Sequence, residues 1–240
     1  MSSYWGKETY SQPTTSELKR KSEASRKSAE KKGKPLEPVV MQGGTIAKSW
    51  WGRAWCANLE RYADFESRLD RGKRYVRTGA VIDLKIGKGK LSARVQGSRK
   101  TPYKVEIRIS PLSEERCQEI IAACGRKVEN LEKLLSGDFP EELKELFAQE
   151  NSLFPAPKEI SFSCSCPDWA LMCKHVAAVL YGVGARLDED PSLFCTLRGI
   201  EMSWFIDVAL ANRVEQMLQN TDRPSSRIIA DGEVRELFGV

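Results

Sequence analysis

Histidine is almost absent from this sequence, because only one occurs among the 240 residues, His175. Histidine is the usual general acid or base near neutral pH, so serine–histidine or cysteine–histidine catalysis would depend on this single side chain. The sequence also lacks a hydrophobic run of transmembrane length, and its opening Met-Ser-Ser-Tyr-Trp lacks the apolar stretch of a signal peptide. We therefore expect a soluble, cytoplasmic protein with no membrane partner.

The seven cysteines are an odd number, and a reducing compartment keeps thiols free or bound to metal rather than paired. Three of them lie close to His175 in the chain, namely Cys164, Cys166 and Cys173. The other four follow helical patterns without the spacing of metal ligands, and we expect them to be small core residues.

The spacing of this cysteine–histidine cluster predicts a metal site. The segment EISFSCSC reads as a strand, on which Cys164 and Cys166 face the same way. After the turn PDW, Cys173 and His175 come where a helix, KHVAAVLYGVGARL, begins. Three thiolates and one imidazole suit tetrahedral Zn²⁺, and four protein ligands leave no open position, so the predicted site is structural. The alternative, a buried thiol cluster without metal, leaves the position of the histidine unexplained.

Charge is distributed unevenly along the chain. Residues 41–110 hold 16 lysines and arginines against 6 acidic residues, a net charge of +10, whereas residues 111–240 hold 13 against 22, a net charge of −9. A basic front half suggests a surface that faces a polyanion, and an acidic back half suggests a separate surface for a partner. Solvated charge without any partner remains the alternative.

The patterns along the chain predict an α+β protein. Residues 1–40 are rich in Ser, Lys and Glu, and we predict a disordered basic tail. Residues 41–152 are predicted to form a basic α+β domain with an antiparallel β-meander and acidic helices. Residues 153–187 are predicted to form a ββα-like zinc finger, and residues 188–240 a C-terminal helical region.

The predicted meander has one solvent-exposed face that is rich in positive charge. Apolar and polar residues alternate in AVIDLKI, LSARVQ and YKVEIRI, as expected for antiparallel strands that bury one face. The exposed face and its loops form the predicted nucleic-acid-binding surface, which consists of Lys85, Lys88, Lys90, Arg94, Arg99, Lys100, Lys104 and Arg108.

The pattern C-x-C, six residues, C-x-H resembles the SWIM zinc finger, found in bacterial Swi/Snf-type helicases and their companions and in Mutator-type transposases. The stretches SWWGRAW, RLDRGKRYVRTGAV, ARVQGSRKTPYKVEIRI and DGEVRELFGV also resemble the stand-alone bacterial SWIM proteins often associated with such helicases. The resemblance implies the zinc ligands Cys164, Cys166, Cys173 and His175, and a role in DNA binding or protein–protein contact.

Catalysis is not expected. With His175 assigned to the metal, no histidine remains for acid–base chemistry, and Ala177 stands where a zinc deaminase needs glutamate. The segment QGGTIAKS resembles a phosphate loop, but Gln42 and Ala47 replace its two glycines. We therefore expect a zinc protein without enzymatic activity or small-molecule substrate that binds nucleic acid, most simply DNA, without sequence preference. The alternative is an adaptor or accessory subunit of a Swi/Snf-type helicase that does not touch nucleic acid itself.

Overall fold

The computed structural model describes residues 12–41, 43–127 and 153–201, together with positions 203, 204, 207, 210, 211, 214, 217 and 218. Within these residues the protein is α+β, as predicted. The acidic helical segment beyond residue 127, most of the predicted C-terminal helical region and the closing DGEVRELFGV lie outside the described residues.

A four-stranded antiparallel sheet organises the fold. Its strands lie in the order in which they occur in the chain: β1 (Val81–Gly87), β2 (Lys90–Val95), β3 (Tyr103–Ile109) and β4 (Ile160–Cys164). The first three strands are the predicted meander, and their alternating apolar residues are buried on one face. The turn between β1 and β2 requires Gly89, because its φ is +63° and a Cβ there would lie 2.9 Å from the Ile109 carbonyl oxygen.

Helices pack against the apolar face of the sheet and extend beyond it. The described helices are α1 (Thr15–Glu30), α2 (Trp50–Glu60), α3 (Glu66–Arg77), α4 (Glu114–Lys127), α5 (Lys174–Glu189) and α6 (Leu193–Arg198). Helix α5 is central, with buried residues on all sides between His175 and Leu187. Trp51, Trp55 and Leu59 recur at four-residue steps along α2; Trp55 and Leu59 belong to the core, and Trp51 packs against it partly buried. None of the described helices has both the length and the apolar character needed to cross a membrane.

The disordered tail predicted for residues 1–40 is wrong for most of that segment. Thr14 and Glu17 form a capping box at the start of α1, and Leu18 is fully buried in the core. The helix is also joined to the loop between β2 and β3, where the Ser25 hydroxyl donates to Gln96 Oε1 at 2.7 Å. One buried leucine, a cap and tertiary hydrogen bonds therefore order a segment whose composition alone predicts disorder.

The predicted boundary between residues 152 and 153 does not separate two independent units. Strand β4 lies beyond that boundary yet pairs with β3 of the meander, with Cys164 opposite Val105 and Phe162 opposite Ile107. The predicted ββα-like finger therefore uses a meander strand as its first strand, followed by β4 and α5. The fold thus places the start of α5 against the sheet, where the cysteines converge.

Candidate metal centre

The structure brings all four predicted metal ligands together. One ligand atom from each of Cys164, Cys166, Cys173 and His175 lies within 4.8 Å of the others. The Cys164 Sγ and His175 Nδ1 atoms are 3.8 Å apart. Zn–S bonds of about 2.3 Å and Zn–N bonds of about 2.0 Å in a tetrahedron separate ligand atoms by about 3.5–3.8 Å. The four ligand atoms therefore need to approach one another only slightly to bind a tetrahedral metal ion.

Two backbone elements position the ligands. Cys164 is the last residue of β4, and the pairing with β3 continues past it, because the Ser165 N–H donates to the Lys104 carbonyl oxygen at 3.0 Å. The Lys104 N–H in turn donates to the Ser165 hydroxyl at 2.9 Å. Cys173 is the N-cap of α5, and His175 lies in its first turn. Thiolates at this end of α5 are favoured by the positive end of the helix dipole.

Hydrogen bonds among the three thiols shift the pKa values of Cys164 and Cys166 in opposite directions. The Cys164 and Cys173 side chains donate to the Cys166 sulfur, so the pKa of Cys166 is lowered, and the Asp168 backbone N–H adds to this effect. Donation of the Cys164 thiol to Cys166 and to Cys173, followed by burial, raises the pKa of Cys164. A divalent cation binds the thiolate form of cysteine, so its binding releases the thiol protons.

His175 is held as a neutral imidazole. Its ring stacks on Tyr103 at a centroid distance of 4.2 Å and meets Tyr75 edge-on at 5.4 Å. Burial, assisted by the nearby charge of Lys174, holds the pKa of His175 below its usual value. The neutral form is the one that binds metals. Its Nε2 atom is buried and has no hydrogen-bond partner within the part of the chain that the structure describes.

The loop between the two ligand pairs is anchored by the segment that joins α2 to α3 and by α3 itself. The carboxylate of Asp64 accepts hydrogen bonds from the backbone N–H groups of Leu171, at 2.8 Å, and Met172, at 3.3 Å. Arg68 forms an ion pair with Asp168 at 3.1 Å. These anchors could not be predicted, because they lie about a hundred positions away in the chain and have no regular spacing relative to the cysteines.

The predicted nucleic-acid-binding residues do not form one uniform surface. Lys85, Arg94, Lys104 and Arg108 lie on the solvent-exposed face of the sheet, which we call the open face. Lys90 pairs directly with Arg108 at one end of this face. Lys88 lies in the turn between β1 and β2, whereas Arg99 and Lys100 lie in the loop between β2 and β3, at the opposite end.

Two acidic residues lie beside the basic residues of the open face. Glu106 forms ion pairs with both Lys90 and Arg108 at 2.8 Å. Asp83 lies 3.8 Å from Arg94. The alternation of the strands could have revealed both, because Asp83 and Glu106 share the polar positions of β1 and β3.

The described part of the segment QGGTIAKS, residues 43–49, does not form a phosphate site. It leads into α2, where the backbone N–H groups of Lys48 and Ser49 both donate to the carboxylate of Asp188. The Ser49 hydroxyl also donates to this carboxylate and accepts from the Gly52 N–H at 3.0 Å. An acidic side chain thus occupies the position in which a phosphate loop binds its anion.

Replacement of Gly97 by alanine is expected to lower the metal affinity of the centre about 10–100-fold, the usual effect of changing a residue that orients a metal ligand. A Cβ at Gly97 would lie 2.5 Å from the Tyr103 ring and 3.2 Å from His175 Nε2, so the stacked imidazole must move. Competition with a chromogenic chelator measures the effect. Gly87→Ala is the matched control, because a Cβ there lies 3.9 Å from its nearest neighbour. Equal affinities for the two variants would contradict the expected role of the imidazole packing.

Comparisons with known proteins agree with this geometry. The sequence matches the SWIM zinc finger family at residues 163–183. It is also 39% identical over 177 residues to the Mycobacterium tuberculosis protein Rv2102, described as uncharacterized, and the match covers 70% of this chain and 64% of that protein. No solved structure matches the chain. With its four ligands converged between β4 and α5, the chain carries a SWIM zinc finger.

Proposed function

We propose that this protein is a non-enzymatic, zinc-binding protein that binds nucleic acid, most simply DNA, through the open face of its sheet. The observation that carries the proposal is the pairing of basic side chains between β2 and β3, with Lys85 of β1 on the same face. Asp83, Arg94 and Lys104 form one cross-strand row, and Lys90 pairs with Arg108 in another. Lys85, Ser92 and Glu106 form the row between them.

Zn²⁺ is the ion that best suits the finger. Thiolate and imidazole ligands in a tetrahedral arrangement favour zinc over the harder divalent cations. All four positions of the tetrahedron are taken by protein side chains, so no position is left for a reacting water or substrate. The proposed role of the ion is therefore to fix the end of β4 to the start of α5.

The shape and charge of the open face favour phosphate contacts. The face forms a shallow groove of about 570 Å³ lined by Lys85, Arg94, Lys104, Ser92 and Ser163, with Asp83 and Glu106 among them. The groove has three basic and two acidic residues, and Lys90 and Arg108 add two more basic residues to the open face. Lysine and arginine contacts to phosphates position nucleic acid without reading its bases, so affinity is expected to fall steeply with salt and to show little sequence preference.

Charge reversal tests this proposal. The triple change of Arg94, Lys104 and Arg108 to glutamate is expected to reduce binding to duplex DNA at least tenfold at moderate salt, because about three phosphate contacts are lost. The slope of log affinity against log salt concentration should become shallower by roughly three. Fluorescence anisotropy over a salt titration measures both quantities.

Two controls make the result specific to the open face. Reversal of Lys19, Lys27 and Lys31, which are exposed on and just after α1, changes the net charge equally but elsewhere. Glu106→Gln should tighten binding, because it removes the carboxylate that pairs with Lys90 and Arg108. If reversal on α1 weakens binding as much as reversal on the open face, this assignment of the surface is incorrect.

The adaptor alternative also has a specific observation in its favour. Glu106 and Asp83 partly neutralise three of the basic residues on the open face, a mixed pattern that suits a protein partner. By the resemblance given above, such a partner would be a Swi/Snf-type helicase. Retention of a purified helicase of this type by the triple glutamate variant, with no measurable DNA binding by the wild-type protein, would favour the adaptor.

A further inference from the structure

Three large apolar side chains are exposed at the finger loop and at the start of α3, which contacts it. Trp169 has 82% of its surface exposed, Leu171 has 67% and Phe65 has 40%. The Phe65 and Trp169 rings are in contact, with centroids 5.4 Å apart and planes at 89°. We call these three residues the knuckle. An edge-to-face pair leaves ring faces open to solvent, and clustered exposed apolar groups of this kind mark a binding surface.

The knuckle is held in place from both sides. The proposed metal ligands Cys166 and Cys173 flank Trp169 and Leu171 in the chain, and the residue after Leu171, Met172, is fully buried in the core. The two backbone hydrogen bonds to Asp64 fix the second half of the loop. A rigidly presented aromatic ring loses little conformational entropy when it binds a ligand.

Two of the carboxylates beside the knuckle, Asp64 and Asp168, have compensating partners. Both carboxylate oxygens of Asp64 accept backbone N–H groups, and the charge of Asp168 is compensated by Arg68. The guanidinium of Arg68 also lies 5.9 Å from the centre of the Phe65 ring. Asp64 and Asp168 are therefore compensated, and the exposed carboxylate next to the knuckle is that of Glu66, the residue after Phe65.

Only a short stretch of chain separates Trp169 of the knuckle from the open face. Ser165, which begins the finger loop, exchanges two hydrogen bonds with Lys104. The four residue-to-residue steps from Ser165 to Trp169 span at most about 14 Å. A nucleic acid held at Lys104 is thus within a few nucleotides of Trp169.

From these observations we propose that the knuckle stacks on unpaired bases, so that the preferred ligand is a nucleic acid with a single-stranded segment. This inference rests on the proposed function and names the ligand class for it. Stacking of a base on an exposed aromatic ring is sequence-tolerant, in keeping with the phosphate contacts expected at the open face. The bases of an intact duplex are already stacked on one another, so the knuckle adds nothing to duplex binding.

The test compares single-stranded and duplex ligands for the full chain loaded with zinc. Trp169→Ala is expected to weaken binding to oligothymidylate or oligouridylate about tenfold, the typical effect of removing one stacked base contact. Duplex DNA of the same length should bind the variant and the wild type equally. Trp169→Phe should recover most of the single-strand affinity, because it restores a ring. Val40→Ala, which truncates an apolar side chain with 60% exposure outside the knuckle, is the matched control.

Each of the following three outcomes would contradict the inference. Equal losses for both ligands in Trp169→Ala, with an unchanged zinc content, would mean that the ring does not select unpaired bases. Unchanged oligonucleotide binding combined with the loss of a purified protein partner would assign the knuckle to protein docking. In both cases the proposed function would still hold if the wild type binds duplex DNA in a salt-dependent way. A wild type that binds neither ligand would overturn both.

Discussion

Replacement of Cys173 by serine is expected to abolish metal binding and cooperative folding of the described core. Cys173 is the N-cap of α5 and only 2% exposed, so the site lies within the core and not on an appendage. Structural zinc contributes about 10–16 kcal/mol in small zinc-finger peptides, which is comparable to the whole stability of a typical domain, about 5–15 kcal/mol. Metal content per chain and thermal unfolding followed by circular dichroism measure the two effects.

Cys56→Ser is the control for the loss of a thiol. Burial, followed by the nearby charges of Glu60 and Asp188, raises the pKa of the Cys56 thiol to about 12, so it stays protonated and is no metal ligand. This variant is expected to retain one zinc ion per chain and a cooperative melting transition. A Cys173→Ser protein that melts like Cys56→Ser would show that the fold does not depend on the metal.

Replacement of Arg198 by methionine is expected to destabilise the protein by about 3–5 kcal/mol, the usual cost of breaking a buried ion pair. The Arg198 side chain is fully buried, and it donates to Glu159 Oε1 and to the Ser110 carbonyl oxygen, both at 2.6 Å. It joins α6 to the start of β4. Removing it leaves the Glu159 carboxylate, which is only 12% exposed, without its counter-charge. Urea denaturation at saturating zinc measures the change.

A double-variant cycle separates this ion pair from packing. Arg198→Met combined with Glu159→Met should recover a substantial part of the loss, because no uncompensated charge then remains buried. Glu189→Gln is the surface control, since its 4.0 Å ion pair with Arg186 is exposed and should contribute less than about 1 kcal/mol. If the double variant is as unstable as the sum of both single variants, the two side chains act independently.

The strands and the metal ligands could be predicted because both depend on local spacing. Alternation in AVIDLKI and YKVEIRI predicts one buried face, and the structure buries Leu84, Val105 and Ile107 there. The spacing of C-x-C and C-x-H alone predicts that the ligands converge. The pairing of β4 with β3 was not predicted, because it joins segments about fifty residues apart and depends on long-range packing.

Features that depend on single tertiary contacts could not be predicted. The composition of residues 1–40 indicates disorder, yet burial of Leu18 and the Thr14 cap suffice to order α1. The ion pair between Arg68 and Asp168 joins positions a hundred residues apart, with no periodicity to reveal it. The knuckle was also not predicted, because its exposure follows from how the finger loop is held and not from composition.

Zinc K-edge X-ray absorption of the purified protein tests the central claim, a closed site of three sulfurs and one nitrogen, most directly. A shell of three sulfur atoms at about 2.3 Å and one nitrogen atom at about 2.0 Å is predicted, with one zinc ion per chain. A first shell dominated by oxygen or nitrogen atoms, or a protein purified without metal that melts cooperatively, would contradict it.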